Sequence, residues 1–457
     1  MFTKNKIAIL FFILFIGVVG VFETGCKKYL DAKSNKELAV PESLQDLQAL
    51  MDYYLRINNV DPISGIESVN DFYLTETDYN ALYNDADRRI YTWGTNHLFD
   101  NYSNDWSYQY DIINMANIVL DNIDKIERTP GNASEYDNLK GQALFQRARS
   151  FQLIAWLWAN AYDKNNAEKD LGIPLRIHSD FNITSVRSTL EETYKRIITD
   201  LKESVSLLPI IPVHVIRPSR PAAYALLART YLSMRDYPNA GNYTDSCLQL
   251  FSKLIDFNSL NAGANYPITR FNDEVIMDNR IPVPDMFIGT RAKIDSVFYQ
   301  SYADEDLRKK VFFKNNNGFF TFKGSYEGTS AMFSGIATDE VILMKAECLA
   351  RAGSTSAAMD ELNSLLIKRW KTNTFTGLTA TDANDALAKI LKERRKELLM
   401  RGLRWMDIKR LNKEGAGIVM QRSINGQTYT LQPNALRYTF PIPETIVDLT
   451  GIQQNPQ

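Results

Sequence analysis

The sequence predicts a mostly α-helical protein in which interrupted helix pairs support a less regular, loop-rich half with a few short strands. Apolar residues recur over several long stretches at the spacing that marks one face of a helix. Two of these stretches share an alternation of large and small residues that is typical of paired helices. The segments between them are rich in Asn, Asp, Gly and aromatic residues and keep no steady period, which indicates loops.

The N-terminus has the layout of a secretory signal peptide. A basic start leads into an apolar run over residues 7–22, which is shorter than the about 20 residues that a membrane-spanning helix needs. Small residues then precede Cys26, the type of position at which bacterial lipoproteins accept lipid. We therefore predict a signal peptide over residues 1–25, a lipid on Cys26 and a polar tether over residues 26–40. Glu23 stands where such signals usually carry an apolar residue, which leaves cleavage elsewhere, or an uncleaved anchor, as alternatives.

The composition of the 457-residue chain is that of a globular protein, with 45% hydrophobic residues and a formal net charge of −2. A charge this close to balance gives no support for a nucleic-acid partner or for a polybasic membrane-binding face. Removal of the signal leaves enough residues for one large body or two ordinary domains.

Cysteine and histidine are sparse. Cys247 and Cys348 each lie in an apolar helical pattern. Two buried core thiols are the first interpretation, and a disulfide is possible in an exported protein. The three histidines are far apart in sequence, and no Cys/His cluster has zinc spacing. The sequence therefore indicates neither a local metal motif nor a cofactor.

Helix signals divide the first half of the chain. Pro41-Glu42-Ser43 opens one helix, another begins at Trp106, and a third covers about residues 134–160. The run Ser188-Thr189-Leu190-Glu191 fits a capping box for a further helix, which is expected to end near Leu208.

Two later stretches repeat the spacing of tetratricopeptide helix pairs, in which small residues at fixed points let two helices approach closely. Because they are far apart in the chain, we expect an interrupted array and not a regular solenoid. A last long helix is predicted over about 384–411. The positions that carry the alternation are Tyr224, Leu227, Ala228, Tyr231, Ala240 and Cys247 in the first stretch, and Ile342, Ala346, Leu349, Ala358, Leu362 and Leu365 in the second.

The remaining segments are irregular, with a strand-like run at Asn317–Phe322 and a proline-rich, extended tail at 438–443. Loops this long are often functional. We place the helical portion at about 41–57, 106–257 and 338–411, and the irregular, ligand-side portion at about 58–105, 258–337 and 412–457.

Three segments match a known family of bacterial proteins. The first is Cys-Lys-Lys-Tyr-Leu-Asp at 26–31, and the most specific is the charged helix 393–410, with Glu-Arg near its start and Gly-Leu-Arg-Trp-Met-Asp-Ile-Lys-Arg at its end. The third is Phe-Pro-Ile-Pro-Glu at 440–444, followed by Gln-Asn-Pro at 454–456. On these segments the protein resembles the SusD-like (RagB/SusD) outer-membrane lipoproteins of Bacteroidetes over nearly the whole mature chain. Arg401 departs from the family's usual Glu, and the final Asn-Pro-Gln replaces the frequent Asn-Pro-Gly-Tyr.

The resemblance implies one body over residues 41–457, mostly helical and built on four tetratricopeptide-like units. It implies a lipid-anchored protein at the cell surface that caps a SusC-like, TonB-dependent transporter of the outer membrane. Members capture oligosaccharides, or in some cases peptides, for import, and they are not enzymes.

Sugar capture requires flat apolar faces and a few hydrogen-bonding groups, which we expect on loops. Trp93 beside Gly94, together with Asn96 and His97, is the best local combination of an aromatic ring, a flexible residue and polar donors. Tyr102 follows closely along the chain. A further ligand candidate is Tyr326, which lies between two glycines in the other irregular segment. For each of these residues plain packing is the alternative.

The charged helix 393–410 is expected to form ion pairs along and between helices, because its charges recur every three to four residues. A glycosidase-like pair of carboxylates is the alternative, and it would need two carboxyl groups facing each other across a cleft. The sequence contains no GxSxG, Walker, GxGxxG or HExxH motif. These observations favour a binding protein over a lipid-anchored hydrolase. A peptide binder of the same architecture and a mainly structural lid of the transporter stay as alternatives.

Overall fold

Helices dominate the computed structural model, which describes residues 41–100 and 103–457. The predicted fold class, mostly α with a few short strands, is confirmed. Residues Ser43–Gln457 form one compact unit. The predicted signal peptide, Cys26 and the tether lie outside the described residues, as does Tyr102. Within the described ranges, no helix combines the length and apolarity that crossing a bilayer requires.

The described helices are α1 (Leu44–Met51), α2 (Tyr54–Ile57), α3 (Ser64–Glu67), α4 (Glu76–Asn80), α5 (Asp85–Tyr91), α6 (Asp105–Ile123), α7 (Ala133–Trp158), α8 (Leu190–Leu207), α9 (Arg220–Met234), α10 (Tyr237–Leu250), α11 (Ser296–Gln300), α12 (Arg308–Val311), α13 (Thr338–Arg351), α14 (Thr355–Leu366), α15 (Ala383–Glu397), α16 (Arg404–Lys413) and α17 (Glu444–Thr450).

Side-chain caps fix where several helices begin. A helix opens at Ser43, as predicted, and the structure shows that Ser43 caps α1 through a capping box. The box of α8 is one residue later than predicted: the Thr189 hydroxyl accepts a bond from the N–H of Glu192, and the Glu192 carboxylate accepts one from the N–H of Thr189. The Ser188 hydroxyl instead donates to the carbonyl of Ile173 at 2.8 Å, because the short strand pair before the helix takes it up.

The long helices pack on one another in chain order, from α6 on α7 through to α9 on α10. The array continues across the interruption, since α10 packs on α13, and α13 packs on both α14 and α15. A methyl group built on Gly241 of α10 would lie 3.4 Å from Cys348 Cβ of α13, so the two helices touch there. Cys247 and Cys348 are both buried free thiols, which confirms the first interpretation of the sequence.

The predicted helix over 384–411 is two helices, α15 and α16. The chain turns between them at Met400, with φ of 59°, and at Gly402, with φ of 74°. A left-handed residue cannot continue an α-helix. The turn brings the Arg401 guanidinium within 3.1 Å of the Asp339 carboxylate on α13, a contact that the local apolar pattern does not encode.

The strands form six separate antiparallel pairs among the described residues. The strand-like run at 317–322 is in fact a hairpin end: Asn317 and Gly318 have positive φ and make the turn. The pairs are β1 (Phe72–Tyr73) with β6 (Lys293–Ile294), β2 (Leu171–Pro174) with β3 (Arg187–Thr189), β4 (Val275–Met277) with β10 (Ile336–Ala337), β5 (Arg280–Ile281) with β9 (Met332–Phe333), β7 (Phe313–Asn316) with β8 (Phe319–Phe322), and β11 (Met420–Ile424) with β12 (Gln427–Leu431).

The charged residues of 393–410 form buried ion pairs, as predicted. Arg308 of α12 is fully buried and contacts Glu393 at 2.5 Å and Glu397 at 3.0 Å. Glu397 also contacts Arg369 at 2.7 Å. Burial alone would raise the pKa of Glu393, but Arg308 and a neighbouring lysine outweigh it and hold that pKa below its ordinary value. A carboxylate held in this way is locked to cations and serves the fold.

Candidate ligand-binding site

Tyr83 is the most exposed aromatic side chain among the described residues, with 87% of its surface accessible. It lies in the turn between α4 and α5, directly after the buried Leu82. Arg88 of α5 donates hydrogen bonds to the Leu82 carbonyl and to the Asp85 carboxylate, on either side of Tyr83. The Tyr83 N–H donates to Asp285 Oδ2 at 2.7 Å. The backbone is therefore fixed while the ring stays open to solvent, as a stacking surface for a sugar requires.

A polar cleft of about 410 Å³ begins next to Tyr83. We call it the acidic cleft, because carboxylates dominate the charged groups along its wall and Arg89 is the one basic residue among the described residues that line it. Its volume falls in the range of small-molecule sites. The polar side chains that define it are Glu67, Asn84, Asp85, Asp87, Asp100 and Asp105.

The acidic cleft carries negative charge that the protein does not neutralise well. Burial, followed by repulsion from Asp87 and Asp105, raises the pKa of Glu67 well above its ordinary value. Burial and repulsion from Asp285 raise the pKa of Asp87 to about 6. Burial also raises the pKa of Asp105, although the N–H of Ser64 donates to it at 2.8 Å. Three neighbouring carboxyl groups thus disfavour their own ionisation.

A second cleft, of about 390 Å³, has walls formed largely by aromatic and aliphatic side chains. We call it the aromatic cleft. Phe287, Phe322 and Tyr266 line it, together with hydroxyl groups at its edge. The buried Lys323 also lines this cleft, and its ammonium group donates to the carbonyls of Ala262 at 2.6 Å and Ala264 at 3.0 Å. These bonds tie the loop that carries Tyr266 to the end of the β7–β8 hairpin.

The turn that carries Tyr83 links the rims of the two clefts. Asn84, which follows Tyr83, lines the acidic cleft. Asp285, which accepts the bond from the Tyr83 N–H, is two residues before Phe287 in the aromatic cleft. Asp285 is in turn held by Arg291. The turn that carries Tyr83 is therefore joined to the walls of a polar cleft and of an apolar cleft.

The prediction that Trp93 is an exposed loop residue is wrong. Trp93 is only 1% exposed, and its indole N–H donates to the Ser68 carbonyl at 2.9 Å. The Arg422 guanidinium lies over the ring at 4.9 Å from its centroid. Gly94, which suggested a flexible loop, instead donates to the Arg89 carbonyl at 2.7 Å and closes α5. The ring is part of the core and offers no face to a ligand in this structure.

Tyr326 is also buried, with 2% exposure. Its hydroxyl donates to Glu274 Oε2 at 2.7 Å and lies 3.2 Å from Asp339 Oδ2. The Arg401 guanidinium covers the ring at 4.9 Å. The two flanking glycines that suggested a loop therefore frame a core residue, and the structure does not bring Tyr326 to a surface with the other candidates.

Asn96 and His97 are exposed, as predicted for loop residues. His97 lies at the rim of the acidic cleft. Its ring nitrogen Nδ1 is 3.1 Å from Asp100 Oδ1, and its backbone N–H donates to Glu444 Oε1 at 2.8 Å. Within the described ranges, the group of three side chains close enough to share a metal ion consists of His97, Asp100 and Glu444. Arg89, at 3.6 Å from Asp100, already balances part of this charge.

Two family models match the chain. One, described as starch-binding and associating with the outer membrane, matches residues 28–232. The other, described as the SusD family, matches residues 293–457. No curated protein matches in sequence.

Solved structures share the fold across nearly their whole length. A SusD superfamily protein from Bacteroides thetaiotaomicron is 20% identical with a TM-score of 0.73, over 91% of this chain and 100% of that one. A SusD-like carbohydrate-binding protein from Bacteroides vulgatus is 20% identical with a TM-score of 0.67, over 90% and 97%. A laminarin-binding SusD-like protein is 17% identical with a TM-score of 0.64, over 90% and 97%.

Proposed function

The chain belongs to the SusD-like (RagB/SusD) family, and from that premise we propose that it captures oligosaccharides at the cell surface. In this proposal a lipid on Cys26 anchors it to the outer membrane, and it delivers its ligand to a SusC-like, TonB-dependent transporter. The family descriptions and the sugar-binding relatives support this function. The observation that carries it is Tyr83, an exposed ring on a fixed turn between two clefts.

The chemistry around Tyr83 suits a carbohydrate. A sugar ring presents a C–H face, which packs on an aromatic ring, and hydroxyl groups, which need hydrogen-bonding partners. Asn84 and Asp87 line the acidic cleft and offer such partners there. Thr329 and Ser330 offer hydroxyl groups in the aromatic cleft. An open surface of this kind predicts weak to moderate affinity, with a Kd of about 1 mM to 1 μM.

We test this function by calorimetric titration of the protein from residue 27 onward with a panel of neutral oligosaccharides. Tyr83→Ala is expected to weaken binding about tenfold, because one stacking contact of about 1 kcal/mol and its buried area are lost. The matched control is Tyr53→Ala, since Tyr53 is also exposed, at 48%, but is not among the residues that line the clefts. Equal binding by the two variants would place the ligand elsewhere.

Binding of peptides is the second candidate, and the acidic cleft favours it for peptides with basic side chains. The same titration with a lysine-rich peptide separates the two ligand classes.

We infer binding without catalysis, because members of the family are binding proteins and Glu393 and Glu397 are held in buried ion pairs. Release of sugar from any panel member, abolished by one carboxylate substitution, would contradict this.

A further inference from the structure

We propose that the acidic cleft receives a positively charged amine of the ligand, so that the preferred ligand is an oligosaccharide with free amino groups. This inference rests on the proposed function, since it assumes that a sugar stacks on Tyr83. It adds a chemical class of ligand that the fold does not specify and that differs from the starch named in one family description.

Glu67 carries the inference. It is the last residue of α3, is 1% exposed and lines the acidic cleft. Among the described residues its carboxylate takes part in no hydrogen bond and no ion pair, although the charge of Arg422 acts on it from a distance. A buried carboxylate without a partner is costly, and proteins rarely keep one unless something else binds to it.

The cations near Glu67 are engaged elsewhere. The Arg422 guanidinium donates to the backbone carbonyls of Glu67 at 2.9 Å and of Tyr91, and it stacks on the Tyr91 ring at 3.7 Å. Arg89 donates to the His97 carbonyl at 2.8 Å, at the rim of the cleft. Neither guanidinium bonds to the Glu67 carboxylate, so a ligand cation would meet a partner that the protein leaves open.

The groups that face Glu67 from the surrounding elements are mostly acidic. They are Asp87 on α5, Asp105 at the start of α6, Asp285 beside the Tyr83 turn and Arg422 on β11. Three carboxyl groups against Arg422, with Asp85 and Asp100 against Arg89 along the wall, make the potential of the cleft negative at neutral pH. Such a cleft repels uronic acids and sulfated sugars and attracts a protonated amine.

An amine fits this arrangement better than a metal ion. Glu67, Asp87 and Asp105 are not grouped closely enough for their oxygens to chelate a single ion, unlike His97, Asp100 and Glu444 at the rim. Carboxylates spread around a cleft suit an ammonium group, which donates three hydrogen bonds in different directions. The adjoining Tyr83 ring favours a sugar over an extended peptide as the carrier of that amine.

Binding of an amine should also release protons. In the free protein, burial and repulsion from Asp87 and Asp105 raise the pKa of Glu67 well above its ordinary value and so favour its protonated form. A bound ammonium group stabilises the carboxylate form and lowers that pKa again. The heat of binding then depends on the ionisation enthalpy of the buffer, whereas binding of a neutral sugar leaves the proton in place.

The test compares two oligosaccharides of equal length, a glucosamine tetramer and its fully N-acetylated form, by calorimetry near pH 7 in two buffers. The amine form is expected to bind at least about tenfold tighter, because charged hydrogen bonds to a buried carboxylate are strong. Its binding heat should differ between the buffers, and that of the acetylated form should not.

Glu67→Gln is expected to remove both the preference for the amine and the buffer dependence. The matched control is Glu76→Gln on the exposed start of α4, which removes the same charge outside the cleft. Glu67→Gln should unfold at the same temperature as the wild type or higher, since a poorly solvated carboxyl group is replaced by an isosteric amide. The unfolding temperature therefore distinguishes a variant that has lost binding from one that has lost its fold.

Three other outcomes of these experiments would overturn the inference. Equal affinity for the two tetramers, lost in Tyr83→Ala, would leave the proposed function intact and remove the amine preference. A lysine-rich peptide that binds while both tetramers do not would contradict the sugar itself. Stoichiometric binding of Ca²⁺ alone, lost in Glu67→Gln, would make the cleft a metal site.

Discussion

Replacement of Arg308 by Met tests how the charged helix α15 is held. Arg308 is fully buried and donates to both oxygens of Asp306, at 2.9 and 2.7 Å, and to Glu393 and Glu397. The substitution leaves these carboxylates in the interior without their common cation. Loss of one partner from a buried ion pair costs about 3–5 kcal/mol.

The remaining cations keep the cost near the lower end of that range. Lys396 still contacts Asp306 at 3.1 Å and Glu393 at 2.9 Å, and Arg369 still contacts Glu397 at 2.7 Å. Each carboxylate therefore retains one cation. We expect the free energy of unfolding to fall by about 3 kcal/mol, and not by the sum of four separate hydrogen bonds.

The loss should depend on pH with a defined sign. Burial alone would raise the pKa values of Asp306 and Glu393, but Arg308, together with Lys396, outweighs it and lowers both. A carboxyl group with a lowered folded-state pKa stabilises the fold above its unfolded pKa, and this contribution is lost as the pH falls. The difference between the wild type and Arg308→Met is therefore largest near pH 7 and shrinks as the pH falls below about 4, through the lowered folded-state pKa values.

Urea unfolding at pH 7 and at about pH 3 measures this difference. The control is Arg128→Met, which removes an exposed pair with Asp137 at 2.7 Å and should cost less than about 1 kcal/mol. A loss below about 1 kcal/mol for Arg308→Met, or a loss that does not change with pH, would refute the view that the family's charged helix is fixed by buried ion pairs.

Two further predictions concern packing. Burial raises the pKa of both Cys247 and Cys348 to about 12. A thiol reagent should therefore modify neither cysteine in the folded protein and both after unfolding. A disulfide between them, found by mass spectrometry, would contradict this prediction. Gly335→Ala should lower the free energy of unfolding by about 3 kcal/mol, because the new methyl group would lie 2.0 Å from the Met277 carbonyl oxygen. The control is Gly131→Ala, whose new methyl group would have its nearest neighbouring atom at 3.8 Å.

Much of the fold could be predicted because its signals are local. The large and small residues of the helix pairs, the cap at Ser43 and the buried thiols all follow from spacing within one turn or one helix. The turn at Met400 and Gly402 could not, because the sequence there is compatible with a helix. It is fixed by contacts with distant elements, such as the ion pair between Arg401 and Asp339.

The ligand candidates show the same limit. Trp93 and Tyr326 stand beside glycines, as loop residues do, yet Ser68, Arg422 and Glu274 from other segments bury them. Sequence spacing does not reveal such partners.

Tyr83 was missed for the converse reason. It lies in an Asn-, Asp- and Tyr-rich segment, and nothing local distinguishes it from the buried Tyr91. Its position directly before Asn84, the residue that precedes the first residue of α5, is the one available hint.

A crystal structure with the tightest-binding oligosaccharide of the panel tests the central claim most directly. Our account predicts a sugar ring stacked on Tyr83, with polar groups of the ligand directed into the acidic cleft toward Glu67 and Asp87. A ligand bound at another surface, with the Tyr83 ring uncovered, would contradict it.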